Sequence, residues 1–278
     1  MNNIGFGSLA SAKNVNSFKN ALREAFHQGI KHFDTAYSYL DAETIFSSII
    51  KEQAVDRQSI EITTKVMPVL SFDKKVEVSL KRLKTDYLDN LLLHWPTKDE
   101  KLLYSILKTM EKLKESEKIL NLGLSNFPLE LVKKVHNDFD IKTIQRGLSL
   151  LWIKDIEKDI SYCNANNIKI QTYSPLATSL LVTKQSSPYV TNEELYNQIL
   201  LALDKIAKAK DCTREQVALS YVFSYDVETV FLGTSSKENL KANLKQISLN
   251  NDEIKELKEL ALKLDKYNTA DNFYQHEW

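Results

Sequence analysis

Four residues of this 278-residue chain have the side-chain types that proton donation to a carbonyl oxygen requires: Asp34, Tyr39, Lys65 and His94. A free tyrosine has a pKa near ~10 and is a poor acid at neutral pH. A neighbouring ammonium favours the phenolate and pulls that pKa down. A carboxylate keeps the ammonium charged and in place, and a histidine beside the oxygen orients it and stabilises developing charge. The set therefore suggests Tyr39 as general acid, Lys65 as its modulator, Asp34 as the partner of Lys65 and His94 as the carbonyl-orienting donor. Each residue also has a plainer reading. Asp34 can cap a turn, Tyr39 is one of 12 tyrosines, Lys65 can reach solvent, and His94 in LLLHWP can be a satisfied histidine at a strand end. What would favour chemistry is their convergence at one place.

The elements that must bring them together alternate along the whole chain. Strand patterns are predicted at Ile4 to Ala10, Lys31 to Thr35, Ile60 to Val66, Leu88 to Leu93, Ile119 to Leu124, Lys142 to Gln145, Ile168 to Tyr173 and Thr229 to Leu232. Helical stripes lie between consecutive strands; Leu103, Ile106, Leu107, Met110 and Leu113 form a clear one. Two more helices close the chain, near Lys237 to Gln246 and Asp252 to Leu264. Eight strands in strict alternation with helices imply a parallel sheet with right-handed crossovers. At this length the pattern fits a single (β/α)8 TIM barrel with extra C-terminal helices, read as one domain over residues 1–278, with an open doubly wound sheet as the alternative. Such barrels build their chemistry on the loops after the strands. Asp34 and Tyr39 follow the second strand, Lys65 ends the third and His94 the fourth. Ser125 and Asn126 follow the fifth, Gln145 ends the sixth, Tyr173 and Ser174 end the seventh, and Gly233, Thr234 and Ser235 follow the eighth.

The remaining composition narrows the function classes. Lys plus Arg equals Asp plus Glu at 37 each, so a nucleic-acid or anionic-membrane footprint is not expected. No apolar run reaches the ~18 residues of a membrane span, and the opening MNNIGFGSLA lacks the pattern of a secretion signal. The two cysteines, Cys163 and Cys212, read as reduced thiols, and the cytoplasm is the expected compartment. No Cys/His spacing suggests zinc, so no metal is expected.

Several segments carry a family likeness. FDTAYSY (Phe33 to Tyr39) resembles the D-T-A-x-x-Y signature of aldo-keto reductases, ITTKV places Lys65 where that family has its lysine, and SLKRLKTDYLDNLLLHWP (Ser79 to Pro96) resembles the stretch that gives its histidine. LGLSNF, TYSPLATSLL and FLGTSSKENLKANL resemble its later cofactor segments, and the matches run in family order from Gly5 to Asn243. YSPLA looks closest to the broad bacterial and channel-subunit branches. The resemblance implies an oxidoreductase that reduces an aldehyde, ketone or sugar carbonyl with hydride from a nicotinamide nucleotide. Carried over residue by residue, it implies that Tyr173 stacks on the nicotinamide and that Ser125, Asn126 and Gln145 bind its carboxamide. Gly7 and Ser8 would lie against the cofactor, Ser174 and Leu176 would line the diphosphate, and Thr234 and Asn243 would sit near the adenosine. Leu9, Leu40 and Trp95 would form the wall of the substrate pocket.

The departures from the family pattern are informative. Members often open with a hairpin plugging the barrel, which is not expected here, and Leu40 stands where a glycine commonly follows the tyrosine. Relatives preferring NADPH usually place Lys or Arg around the 2′-phosphate. This chain has Gly233, Ser235, Ser236 and Asn239, with only Lys237 and Lys241 nearby and basic. NADP(H) still ranks first on family grounds, with NAD(H) second. Gly5-Phe6-Gly7-Ser8-Leu9-Ala10 also matches the dinucleotide fingerprint of open α/β folds, but that motif must follow a real strand and open directly into a helix. An NAD-dependent aldose or alcohol dehydrogenase and a cofactor-sensing binding protein of the same fold are the competing functions. Substrate choice is expected to reside in the Ser174 to Thr191 stretch and in the tail, where Tyr267, Phe273, Tyr274 and Trp278 can supply apolar walls. The partner is a small carbonyl compound, and nothing in the sequence speaks to oligomeric state.

Overall fold

Strand alternation sets the architecture. Strands β1 (Asn3–Gly7), β2 (His32–Asp34), β3 (Glu61–Val66), β4 (Leu88–Leu93), β5 (Ile119–Ser125), β6 (Ile141–Gly147), β7 (Lys169–Tyr173) and β8 (Thr229–Gly233) pair in sequence order, all parallel. β8 pairs back onto β1, with Gly7 beside Gly233, so the sheet is a closed barrel and the open-sheet alternative is excluded. The coordinates are a computed structural model that describes residues 3–9, 14–183, 190 and 192–266. Ala10 and the tail residues Tyr267, Phe273, Tyr274 and Trp278 lie outside the described residues, as does most of the stretch from 184 to 191.

Ten helices among the described residues surround the barrel. They are α1 (Val15–His27), α2 (Ala42–Glu52), α3 (Phe72–Leu83), α4 (Glu100–Glu115), α5 (Leu129–His136), α6 (Ile156–Ala165), α7 (Glu193–Ala209), α8 (Arg214–Phe223), α9 (Lys237–Asn243) and α10 (Asn251–Asp265). The predicted stripe of α4 is buried as a set, from Leu103 to Leu113. Alternate strand residues such as Ile62, Leu91, Leu93, Leu124, Ile144, Ile170 and Val230 join helix side chains in one apolar cluster. Thr213 with Gln216 and Asn250 with Glu253 form capping boxes that start α8 and α10. α9 stops at Asn243 rather than at the predicted Gln246; Leu244, Ile247 and Leu249 instead pack on the core as irregular chain.

The inner face is different. Barrel interiors are usually layered with Val, Ile and Leu, whereas here Thr63, Asn90, Thr143 and Gln171 are buried together. The Thr143 hydroxyl donates to Asn90 Oδ1 at 3.2 Å, Asn90 Nδ2 to Thr63 Oγ1 at 3.2 Å, and Gln171 Nε2 to the same Thr63 oxygen at 3.3 Å. Two glycines make room for this packing. A Cβ on Gly5 would lie 2.3 Å from the Phe231 ring, and one on Gly123 would lie 2.1 Å from Leu92 Cδ2. Gly5 thus serves close packing inside a strand. Among the described residues the next α-helix, α1, begins at Val15, eight residues after Gly7, which is not the direct strand-to-helix setting of the open-fold fingerprint.

Candidate active site

Parallel pairing places the ends of β2, β3 and β4 side by side, with Asp34 opposite Thr63 and Lys65 opposite Leu92. Asp34, Thr63, Lys65 and Leu92 follow from the two-residue period as inward-facing positions. Both Asp34 carboxylate oxygens lie 2.7 Å from Lys65 Nζ, which also donates to the Thr35 carbonyl at 2.8 Å. The two side chains are 7% and 2% exposed, so this is a buried ion pair. Burial lowers the Lys65 pKa, and the Asp34 carboxylate opposes that shift.

Tyr39 reaches the pair from the turn after β2. The Tyr37 amide donates to the Lys65 carbonyl at 2.9 Å and the Tyr39 amide to the Ala36 carbonyl at 3.0 Å, which folds the loop over β3. Lys65 Nζ then lies 5.1 Å from the centre of the Tyr39 ring, and the His94 ring meets it edge-on at 5.7 Å. The expectation that Lys65 draws the phenol pKa down is reversed in this arrangement. Burial and the Asp34 charge raise it, so Tyr39 is held in its protonated form. His94 is lowered to about 3 by burial and by the Lys65 charge, and is neutral at physiological pH. Its Nδ1 is buried with no hydrogen-bond partner among the described residues.

The other half of the barrel end is a polar shelf. Gln145 Nε2 donates to Asp34 Oδ1 at 2.8 Å and to Gln171 Oε1 at 3.3 Å, tying β6 and β7 to the ion pair. Asn126 Nδ2 donates to the His94 carbonyl and to Ser125 Oγ, both at 3.1 Å, while the Tyr173 hydroxyl donates to Asn126 Oδ1 at 2.5 Å. Asn126 and Ser174 adopt left-handed backbone, with φ of 66° and 55°, where the chain turns off β5 and β7. Arg146 anchors that β5 turn, donating to the Phe127 carbonyl at 2.7 Å and pairing with Asp159 at 2.7 Å.

The structure thus gathers Asp34, Tyr39, Lys65 and His94, and beside them Ser125, Asn126, Gln145 and Tyr173. Gly7 and Gly233 adjoin at the ends of β1 and β8 and leave a strip of backbone bare of side chains. Ser8 Oγ, next to this strip, is buried without a hydrogen-bond partner among the described residues. Ser174 and Leu176 are half-buried after β7. Thr234 and Ser235 lie in the turn after β8, where Thr234 Oγ1 accepts from the Ser236 amide at 3.0 Å; Asn239 is exposed on α9 and Asn243 ends it. Leu9 and Leu40 are 60% and 67% exposed, and Trp95 is half-buried, its ring centre 6.4 Å from that of His94. Leu40 also has φ of 46°, which accounts for the glycine of the family pattern at this position. A flat ligand carrying a carboxamide and an extended diphosphate fits this set: bare backbone at β1 and β8, an unpaired serine hydroxyl, and side-chain amides on β6 and after β5. Gln171 and Thr35 were missed from sequence. The alternation Gln171–Tyr173 on β7 puts both on one face and was the available signal for the first. Among the described residues no cluster of three or more His, Cys, Asp or Glu can hold a metal, and no helix is long and apolar enough to cross a membrane.

Comparison with known proteins decides the family. Residues 3–262 match the model of the Aldo/keto reductase family. The chain belongs to that family. Among its relatives are a glyoxal reductase of Bacillus subtilis, 30% identical over 66% of each chain, and a methylglyoxal reductase of Escherichia coli O157:H7, 27% identical over 82% of this chain and 81% of the relative. An aldo/keto reductase from Klebsiella pneumoniae, solved with NADP and acetate, is 25% identical and superposes with a TM-score of 0.76 over 93% of this chain and 91% of the other. Aldo/keto reductases are oxidoreductases, and the barrel described above is the fold this chain shares with them.

Proposed function

We propose that this aldo/keto reductase reduces a small aldehyde or ketone at the ends of β2, β3 and β4, with Tyr39 as general acid. The observation that carries this reading is the buried Lys65–Asp34 pair at 2.7 Å with the Tyr39 ring 5.1 Å from the ammonium and the His94 ring 5.7 Å from Tyr39. A nicotinamide nucleotide, when bound, supplies the hydride that adds to the carbonyl carbon. Neutral His94 donates to the carbonyl oxygen and holds it toward Tyr39. Tyr39 passes its hydroxyl proton to that oxygen as negative charge develops there, and the phenolate left behind is stabilised by Lys65. Asp34 keeps Lys65 charged in a site where burial favours the neutral amine. Names of the relatives point to 2-oxoaldehydes as the first substrates to try, and Leu9, Leu40 and Trp95 suit a compound with a small apolar substituent.

Ser125, Asn126, Gln145 and Tyr173 are the residues we assign to the nicotinamide end, with Gly7, Ser8, Ser174 and Leu176 along the diphosphate. Gly233, Thr234, Ser235, Asn239 and Asn243 are assigned to the adenosine end. NADP(H) is our first choice of cofactor, supported by the Klebsiella relative solved with NADP. One observation favours the NAD-dependent dehydrogenase reading. Lys241 is drawn to Glu24 of α1 at 3.3 Å, and Lys237 lies 3.9 Å from Glu238, so the two basic residues nearest this end already face carboxylates. Cys163 and Cys212 are both free thiols, which supports a reducing compartment such as the cytoplasm. The test is to measure binding of NADPH and NADH in parallel by fluorescence, then turnover of methylglyoxal with each. Tighter NADPH binding with turnover supports the reductase; tighter NADH binding with alcohol oxidation moves the dehydrogenase forward. Binding of neither removes the cofactor assignment.

A further inference from the structure

A second buried carboxylate lies on the outer side of β3. Glu43, on α2, is fully buried, although ionisable side chains are rarely so unless paired. Its Oε1 accepts from the Thr64 hydroxyl at 2.8 Å, and its Oε2 lies 3.4 Å from Arg82 Nη1 of α3. The same Arg82 nitrogen donates to the Tyr37 carbonyl at 3.0 Å, and the guanidinium sits 4.7 Å from the centre of the Tyr37 ring. Lys75 caps that ring at 4.4 Å. Thr64 is the residue before Lys65, and Tyr37 lies two residues before Tyr39. The Arg82–Glu43 pair therefore grips both the strand that carries Lys65 and the loop that carries Tyr39. Arg82 is a third exposed, and a pair that buries one carboxylate is a poor device for stability, because apolar residues of similar volume often do as well. Its two attachment points make better sense as control of geometry and charge.

We infer that Glu43 is a positioning residue of the active site. With Arg82 it clamps the Tyr39 loop to β3, and through Thr64 it sets a carboxylate beside the residue that precedes Lys65. This rests on the proposed roles of Tyr39 and Lys65. The charged and titratable groups around Lys65 are Asp34 from β2, Tyr39 from the following loop, His94 from β4 and Glu43 from α2, with Arg82 of α3 behind Glu43. Glu43 favours the charged form of Lys65, in the same direction as Asp34.

Glu43→Gln keeps the shape and an acceptor for Thr64 but removes the charge. Lys65 then releases its proton at lower pH, so the alkaline limb of kcat for carbonyl reduction should move to lower pH, by less than it moves in Asp34→Asn. Well below that limb, kcat should fall less than about tenfold, with KM for the carbonyl substrate little changed. Glu43→Asp, which restores the charge, should return the limb toward its original place. An unmoved limb in Glu43→Gln overturns the inference, whatever happens to kcat or to the melting temperature. Should Glu43→Gln fail to fold, Arg82→Met carries the test. It keeps much of the stem but donates neither to Glu43 nor to the Tyr37 carbonyl, so kcat should fall; a kcat equal to that of the unaltered protein overturns the clamp. Tyr39→Phe, assayed beside them, separates the two readings. If it retains turnover, the proposed chemistry fails irrespective of Glu43.

Discussion

Replacing Asp34 by asparagine keeps the side-chain size and removes one charge from the pair at 2.7 Å. Lys65, 2% exposed, then retains the Thr35 carbonyl at 2.8 Å as its remaining backbone acceptor. Stripping one partner from a buried ion pair costs about 3–5 kcal/mol. Lysine can limit that loss by giving up its proton, and each unit by which its folded pKa drops corresponds to about 1.4 kcal/mol. Burial already holds Lys65 below its ordinary value of 10.5, with Asp34 the largest opposing influence, so the variant lysine falls further. A lysine with a depressed folded pKa binds fewer protons in the native state than in the unfolded chain. Stability of the variant must therefore rise with pH between the folded pKa and 10.5, and the penalty is fully present below that window. Urea unfolding near pH ~6 should show a loss of about 3–5 kcal/mol relative to the unaltered protein, and near pH ~9 a loss smaller by at least about 1 kcal/mol. Carbonyl reduction by the variant should drop by roughly two orders of magnitude. Equal destabilisation at both pH values would refute the reasoning, because it would mean that Lys65 is not the group carrying the unpaired charge.

Gly123→Ala should destabilise the barrel by about 1–3 kcal/mol in the same assay, since the new methyl would meet Leu92 Cδ2 at 2.1 Å and the Thr143 carbonyl at 2.6 Å. Leu40→Gly should stabilise the protein by about 1 kcal/mol, because φ of 46° strains a leucine and suits glycine, while a weaker KM for apolar carbonyl substrates would report the lost pocket wall. Asn239→Arg should tighten NADPH binding at least about tenfold without tightening NADH, given a guanidinium placed beside the expected 2′-phosphate; an equal change for both in parallel titrations would locate the phosphate elsewhere.

Much of this molecule is legible before any coordinates. The predicted limits of β4 coincide with the observed Leu88–Leu93, and the predicted stripe from Leu103 to Leu113 is buried as a set in α4, because a largely apolar strand and a clean helical stripe leave little choice. Asp34, Tyr39, Lys65 and His94 could be brought together from sequence because each sits at or after a strand end, and barrel closure puts those ends in one plane. What periodicity cannot show is contact between distant positions. Gln145 meets Asp34 across 111 residues, and Arg82 meets Glu43 across 39. The polar lining of Thr63, Asn90, Thr143 and Gln171 depends on register between four strands. The Tyr39 acidity also needed the structure, since sequence supplied the neighbouring ammonium but not the burial that outweighs it.

The central claim, that Tyr39 supplies the proton, is tested most directly by single-turnover reduction of methylglyoxal by Tyr39→Phe loaded with reduced cofactor, alongside its cofactor affinity. The account expects cofactor binding within about threefold of the unaltered protein and a reduction rate lower by roughly 10²–10⁴-fold. A rate within tenfold of the unaltered protein, with binding intact, would contradict it.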